Sequence, residues 1–174
     1  TQEDLEYLKS LDLVISSKGS KIRPEEFKKL WKEGIPLAYD FSNNSPEENI
    51  QKITPLCKFA FLSAGGKTTE ETEKLLKERH AMGAKYVLAS RGEEASMLFD
   101  GENFYSQPSL PVRVVDTLGA GDSFFTAFLV AFLYRFPENE KITSEGLADC
   151  MRQGAVFAAR NCLVYGAAGD GIPF

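Results

Sequence analysis

The fold is decided by the stretch Asp116–Phe125, D-T-L-G-A-G-D-S-F-F. A β-branched run, Val112–Val115, precedes this stretch, and a long apolar run, Phe124–Leu133, overlaps its end. A short β-branched run, then glycines, then a long apolar run predicts a strand, a tight turn and the start of a buried helix.

Four residues of this stretch predict a binding site. The backbone N–H groups of Gly119, Ala120 and Gly121 would lie at a helix N-terminus, where unsatisfied donors and the helix dipole favour an anion. Asp122 would then lie where a substrate hydroxyl meets a bound phosphate. The alternative is structural, because glycines at a helix start permit close packing and an aspartate there caps the helix.

Strands alternate with helices along the rest of the chain. The patterns predict strands at 11–16, 35–41, 58–63 and 85–90, helices at 24–31 and from Thr68 or Thr69 to about Met82, and a hairpin over 95–106 around Asp100-Gly101. A polar loop is predicted over 42–49 and irregular chain over 50–57. The predicted core includes Trp31 and the phenylalanines at 59, 61, 124, 125, 128 and 132.

This alternation predicts an α/β fold with a mostly parallel sheet covered by helices, and the length of 174 residues predicts one domain over 1–174. Ligands of such sheets bind beyond the carboxyl ends of the strands. The segments 63–67, 90–93 and 116–122 all follow predicted strands, so the ligand site is expected among them.

The composition excludes several classes of partner. A net charge of −5 argues against nucleic acid, which needs a broad basic surface. The longest apolar run, Phe124–Tyr134, is too short to span a bilayer, so no membrane partner is predicted. Three cysteines, Cys57, Cys150 and Cys162, without a C-x-x-C pair or a leader-like segment, predict a cytoplasmic protein.

The whole string D-T-L-G-A-G-D-S-F resembles the second signature of the ribokinase-like (PfkB) carbohydrate kinases, which transfer the γ-phosphoryl group of ATP to a sugar hydroxyl. The resemblance runs from about Leu11 to the end and covers the C-terminal half of such a kinase. It implies the C-terminal portion of a three-layer, Rossmann-like fold with helices on both faces of the sheet. Short strings at 40–42, 61–64 and 165–167 look closest to the fructoselysine 6-kinase branch.

The resemblance also implies roles for individual residues. Asp122 would be the catalytic base, and the Gly119, Ala120 and Gly121 amides would stabilise the transferring group. Asp116 resembles the family's position beside a monovalent cation such as K⁺, with carbonyls from the loop Gly166–Gly169. The implied cofactors are ATP and Mg²⁺, and a homodimer of the full-length protein is compatible with the resemblance.

Further positions resemble the family's nucleotide site, and each has a structural alternative. They are Ser63, Lys67, Ser90, Arg91, Gly92, Gly154, Ala158 and Asn161. Lys67 and Gly92 are equally typical of plain loops and turns, and Arg91 of a solvated charge. Gly154 and Ala158 form a small-residue helix face, which favours an adenine pocket or tight helix packing.

The loop Ala64–Thr68, A-G-G-K-T, differs from two known phosphate loops. A P-loop requires a glycine five residues before Gly66, and that residue is Phe61. In the resembled family this strand end carries an Asn-x-x-Glu string that organises Mg²⁺ and phosphate, whereas this chain has Ser63 and Gly66. The metal must therefore be organised differently, for example with Lys67 neutralising phosphate directly.

These observations predict ATP-dependent phosphorylation of a sugar or sugar-amine hydroxyl, with fructoselysine as one candidate. The isolated chain is expected to bind ATP or ADP weakly, and an inactive fragment is compatible with this expectation. The alternatives are a nucleotide-binding domain without catalysis, and a structural or dimerisation domain.

Overall fold

The computed structural model describes residues 1–137 and 140–167. The chain folds into two compact units. The first contains Thr1–Arg91 and Met97–Phe104, and the second contains Gly92–Ser96 and the residues from Tyr105 onward. The prediction of one domain over 1–174 stays a prediction. None of the helices in the described part of the chain is long and apolar enough to cross a membrane.

The helices and strands alternate as the sequence predicts. In chain order they are α1 (Gln2–Lys9), β1 (Val14–Ser17), α2 (Pro24–Lys32), β2 (Leu37–Asp40), α3 (Glu47–Ile53), β3 (Phe59–Ser63), α4 (Thr69–Ala81), β4 (Tyr86–Ser90), β5 (Ser96–Phe99), β6 (Phe104–Gln107), α5 (Ala120–Arg135) and α6 (Ser144–Asn161). The six strands form one sheet in the order β1-β2-β3-β4-β5-β6. Strands β1 to β4 are parallel and β5 is antiparallel to β4. The predicted mostly parallel sheet is confirmed.

Both faces of the central strands are buried, which explains why β3 and β4 are apolar without alternation. On one face Tyr39, Ala60 and Val87 join a core with Phe27 of α2 and Leu76 of α4. On the other face the register partners Phe59 and Tyr86 stack with their ring centroids 5.1 Å apart.

The parallel strands also place the candidate loops. Strands β2, β3 and β4 end at Asp40, Ser63 and Ser90, and the last two are register partners. Because parallel strands share one carboxyl edge, the loops that follow these residues begin side by side.

Local sequence signals fix the start of α4 and the turn of the hairpin. The Thr68 side chain accepts from the Glu71 N–H, and the Glu71 carboxylate accepts from the Thr68 N–H, which is a capping box. In the hairpin turn Gly101 has φ +102°, and the Asp100 carboxylate accepts from the N–H groups of Glu102 and Asn103.

Three predictions of local structure are wrong. No strand forms at Val112–Val115, because a strand needs a hydrogen-bonded neighbour and the Val115 N–H donates instead to the Cys162 carbonyl, 2.7 Å away. The stretch 42–57, predicted as a polar loop followed by irregular chain, contains α3, since Pro46 lies at its N-cap and Pro55 falls after its end, in a short 3₁₀ turn. Trp31, predicted as core, is 50% exposed.

The second unit is built on the packing of α5 against α6. The phenylalanines of α5 at 124, 125, 128 and 132 are buried, as predicted. Gly154 of α6 is buried where the two helices approach each other closely. A Cβ atom at this position would lie 2.8 Å from the Phe124 carbonyl oxygen and 3.0 Å from the Phe124 ring. The packing alternative for Gly154 is therefore supported.

Gly154→Val in the complete gene product should lower the free energy of unfolding by about 1–3 kcal/mol, because the added methyl groups overpack the contact with α5. The matched control is Gln153→Val at the neighbouring exposed position, which should change it by less than about 1 kcal/mol through helix propensity alone. Urea unfolding measures both. Equal losses in the two variants would contradict the close-packing role of Gly154.

Candidate functional site

The turn before α5 is sterically constrained at Gly119. Gly119 is the N-cap of α5 with φ +79° and ψ 0°, a left-handed conformation that favours glycine. A Cβ atom at position 119 would lie 2.8 Å from the Cβ of Ala167 and 3.0 Å from its carbonyl oxygen. Glycine is required at 119 both for the conformation and for this close approach.

The first amides of α5 divide into used and unused donors. The Ala120 N–H donates to the Thr117 carbonyl at 3.2 Å, and the Ser123 N–H donates to the Gly119 carbonyl at 2.8 Å. Among the described residues, the Gly121 and Asp122 N–H groups donate no hydrogen bond. Unpaired donors at a helix N-terminus favour an anion. Of the predicted amides, Gly121 is unpaired, whereas the prediction for Ala120 is not supported because its N–H is already bonded within the turn. The Asp122 N–H is an additional unpaired donor that the prediction did not include.

Asp116 ties the two ends of this turn together. Its Oδ1 accepts from the Leu118 N–H at 3.0 Å, and its Oδ2 accepts from the Gly166 N–H at 2.9 Å. Hydrogen bonds from these two N–H groups hold the pKa of Asp116 below its usual range. Asp116 is therefore an anionic anchor for the turn.

Asn161 supports the turn from the end of α6. Its side chain is buried, its Nδ2 donates to the Leu118 carbonyl at 2.6 Å, and its Oδ1 accepts from the Ser123 hydroxyl at 3.1 Å. The sequence predicted nucleotide contact for Asn161 and missed this supporting role. The only signal was a polar residue at the end of a small-residue helix.

Asp122 is exposed on the first turn of α5. Together with Ser123 it borders an open groove of about 590 Å³ that continues along α5 and past Gln153 and Phe157 of α6. A carboxylate at the end of an open groove, beside unpaired helix amides, is accessible to a hydroxyl-bearing substrate. The predicted pairing of a base with an anion site is therefore sterically feasible.

The first unit brings together another group of the predicted residues. The Ala64 N–H donates to the Ser90 carbonyl at 2.8 Å, which joins the loop after β3 to the end of β4. Ser63 and Lys67 are exposed on this loop. Arg91 is only 7% exposed, so its interpretation as a solvated charge is wrong.

The remaining predicted residues do not join either group by hydrogen bonds. Gly92 has φ +66° with open space around its Cβ position, which fits a turn. Ala158 is half-buried and its carbonyl accepts from the Cys162 N–H at 3.1 Å. Asp40, which the sequence prediction did not include, ends β2 and accepts from the Ser42 N–H at 2.7 Å. The sequence feature that could have singled out Asp40 is its position near the end of a predicted strand.

The described residues do not fit a magnesium ion held by the protein alone. Within residues 1–137 and 140–167, no three His, Cys, Asp or Glu side chains cluster as metal ligands. Protein-bound Mg²⁺ is usually held by one or two carboxylates together with substrate phosphates, and Ser63 and Gly66 supply none. The loop Gly166–Gly169, predicted beside K⁺, lies partly outside the described residues.

Comparison with known proteins gives the family context. Residues 25–173 match the family described as pfkB family carbohydrate kinase. The chain is 36% identical over 140 residues to fructosamine kinase FrlD of Bacillus subtilis, covering 80% of this chain and 46% of that protein. It is 33% identical to the fructoselysine 6-kinase of Escherichia coli, covering 96% of this chain and 60% of that protein. The chain thus spans about half the length of these relatives.

Solved structures show the same fold. The Arabidopsis thaliana ribokinase in complex with ribose and ATP superposes with a TM-score of 0.75 at 25% identity, covering 96% of this chain and 55% of that one. A Thermotoga maritima ribokinase superposes with a TM-score of 0.72 at 21% identity, covering 98% and 56%. The ribokinase-like fold is confirmed.

The anchoring role of Asp116 predicts a pH dependence. A carboxylate whose pKa is lowered on folding stabilises the protein fully above its unfolded pKa of about 3.9, and this stability is lost as the pH falls through the lower folded pKa. Asp116→Asn removes the charge, so the variant should melt at a lower temperature than the wild type near neutral pH. The difference should shrink below about pH 4.

Melting temperatures measured across this pH range test the prediction, with Glu102→Gln as the control for removal of an exposed carboxylate. A melting difference for Asp116→Asn that does not change with pH would contradict the anchoring role of the charge.

Proposed function

The chain belongs to the pfkB family of carbohydrate kinases, and we propose that the complete gene product transfers the γ-phosphoryl group of ATP to a hydroxyl of a sugar or sugar-amine. One observation carries the proposal: the left-handed Gly119 turn holds unpaired amides of α5 beside the exposed Asp122 carboxylate. Such amides favour phosphate oxygens, and such a carboxylate is accessible to a hydroxyl.

The proposed substrate is a fructosamine, with fructoselysine phosphorylated to its 6-phosphate as the specific case. Two observations support it. The relatives with 36% and 33% identity are named fructosamine kinase and fructoselysine 6-kinase. The identity to the Arabidopsis ribokinase structure is lower, at 25%.

In the proposed reaction the substrate oxygen attacks the γ-phosphorus in line with the departing β-phosphate oxygen. The new oxygen–phosphorus bond forms as the bond to ADP breaks, and Asp122 accepts the hydroxyl proton. The N–H groups of Gly121 and Asp122 would stabilise negative charge on the transferring group. Because the proton leaves late in a loose transition state, orientation of the hydroxyl by Asp122 matters more than its basicity.

The proposed cofactors follow the same reasoning. Mg²⁺ would enter with the ATP phosphates rather than through a protein carboxylate cluster, since the β3 loop has Ser63 and Gly66 at the positions in question. Lys67 is the cation on this loop and would contribute phosphate neutralisation. K⁺ beside Asp116 is part of the proposal, with its partner loop partly outside the described residues.

A second candidate function is nucleotide binding without catalysis. The absence of a carboxylate at Ser63 and Gly66 favours it, because a degenerate metal site would retain phosphate binding while losing turnover. A structural or dimerisation domain is the third candidate, and it would require that no nucleotide stabilises the protein.

ATP consumption by the complete gene product across a panel of sugars separates these candidates. The panel should include fructoselysine, other fructosamines, ribose and fructose 1-phosphate. We expect the highest kcat/KM with a fructosamine. Turnover with ribose alone would refute the substrate assignment, and no turnover with nucleotide-dependent thermal stabilisation would favour the second candidate.

Asp122→Asn in the complete gene product should lower kcat by about 10²- to 10⁴-fold, the usual contribution of a positioned base. Affinity for ADP should change by no more than a few-fold, because the helix amides are retained. The control is Glu145→Gln, which removes an exposed carboxylate from the first turn of α6. Steady-state kinetics and calorimetry measure the two quantities, and equal losses of binding and turnover would make Asp122 structural.

A further inference from the structure

Arg91 is a buried cation at the carboxyl end of β4. It is 7% exposed, although a guanidinium is charged at any ordinary pH. Its Nη2 donates to the Lys67 carbonyl at 2.9 Å, and its Nη1 donates to the Thr69 hydroxyl at 3.4 Å. Because burying a charge is costly unless it is hydrogen-bonded, this placement indicates a specific task for the guanidinium.

The task concerns the loop Ala64–Thr68 between β3 and α4. Gly66 has φ +77°, and the Cβ positions of Gly65 and Gly66 face open space, so neither glycine packs against the protein. The loop is closed by the Lys67 N–H, which donates to the Ala64 carbonyl at 3.1 Å. The Arg91 guanidinium, at the end of β4, donates to the Lys67 carbonyl.

The groups at the N-terminus of α4 do not need Arg91 as a hydrogen-bond partner. Its capping box pairs Thr68 with Glu71, so these groups are already satisfied. The pKa of Glu70 is lowered by hydrogen bonds from its own N–H and the Thr68 side chain, and then by the charge of Arg91. The charge of Arg91 thus acts on a carboxylate at the start of α4. The exposed cation of the loop is Lys67.

We propose that Arg91 is a positioning residue, which holds the loop Ala64–Thr68 so that the Lys67 ammonium is presented to the terminal phosphates of ATP. The inference rests on the proposed function. It assigns Arg91 an action through Lys67 rather than a direct contact with the nucleotide. The loop has no carboxylate that could hold a metal ion beside the phosphates. A lysine on an ordered loop would stay close to the phosphates, whereas a lysine on a mobile loop would be close to them only part of the time.

The first test measures the loop without reference to catalysis. In the complete gene product without nucleotide, Arg91→Met should increase hydrogen exchange of the hydrogen-bonded Lys67 and Thr68 amides by about 10- to 100-fold, the worth of a hydrogen bond to a charged group. Arg91→Lys should give a smaller increase, because an ammonium keeps the charge but not the planar pair of donors. Arg23→Met, at an exposed arginine, is the matched control and should leave the loop unchanged.

The second test asks whether Arg91 acts through Lys67. Lys67→Ala and Arg91→Met should each raise the KM for ATP by about tenfold, with partial rescue in Arg91→Lys. The double variant should be no worse than Lys67→Ala alone, because a loop without the ammonium has nothing left to present.

The outcomes distinguish a positioning role of Arg91 from direct contact with the nucleotide. Unchanged exchange of the Lys67 and Thr68 amides in both Arg91 variants would overturn the proposal. Additive effects on the KM for ATP would overturn it too, because they would indicate that Arg91 contacts the nucleotide itself. Arg91→Lys guards against a variant that fails to fold. If no sugar is phosphorylated, the proposed function fails, whereas the exchange measurement still decides whether Arg91 orders the loop.

Discussion

The conformation of the turn before α5 depends on two hydrogen bonds to one carboxylate. By accepting from Leu118 and Gly166, Asp116 holds the turn before α5 against the segment after α6. That contact brings Ala167 so close to Gly119 that a side chain at 119 has no room. Asn161 fills the space beneath the same turn and binds the Leu118 carbonyl. These contacts hold the conformation of the turn, so the geometry at the start of α5 depends on tertiary structure and not on the glycines alone.

The regular elements were largely predictable, because burial on both faces or on one face leaves a clear pattern in the sequence. The apolar runs of β3 and β4, the capping box of α4 and the Asp100-Gly101 turn are all encoded by neighbouring residues. The errors lie where the outcome depends on distant partners. Val112–Val115 has the composition of a strand, but its backbone bonds to Cys162 instead of to a strand. Trp31 is a large apolar residue whose helix leaves it half-exposed.

The candidate site was predictable as a set of residues but not as a set of roles. Asp122, Gly119 and Gly121 are conspicuous in one short string, whereas the support they receive from Asn161 joins residues far apart in the sequence. Arg91 shows the same limit. A loop-like string predicts a solvated arginine, and only the fold shows that its guanidinium is buried against the Lys67 carbonyl. Hydrogen bonds from side chain to backbone leave no periodic signal, so sequence patterns do not reveal them.

The bond from the Gly166 N–H to Asp116 has a consequence for the order of folding, because it closes a loop of 50 residues. Contacts of such separation carry a large entropic cost of closure and form late unless intervening structure brings their ends together. Here α5 and α6 supply that structure by packing side by side. During synthesis on the ribosome, the turn at Gly119 would therefore stay unanchored until α6 and the segment through Ala167 have emerged. The turn before α5 would therefore reach its final conformation only after the segment through Ala167 has been synthesised.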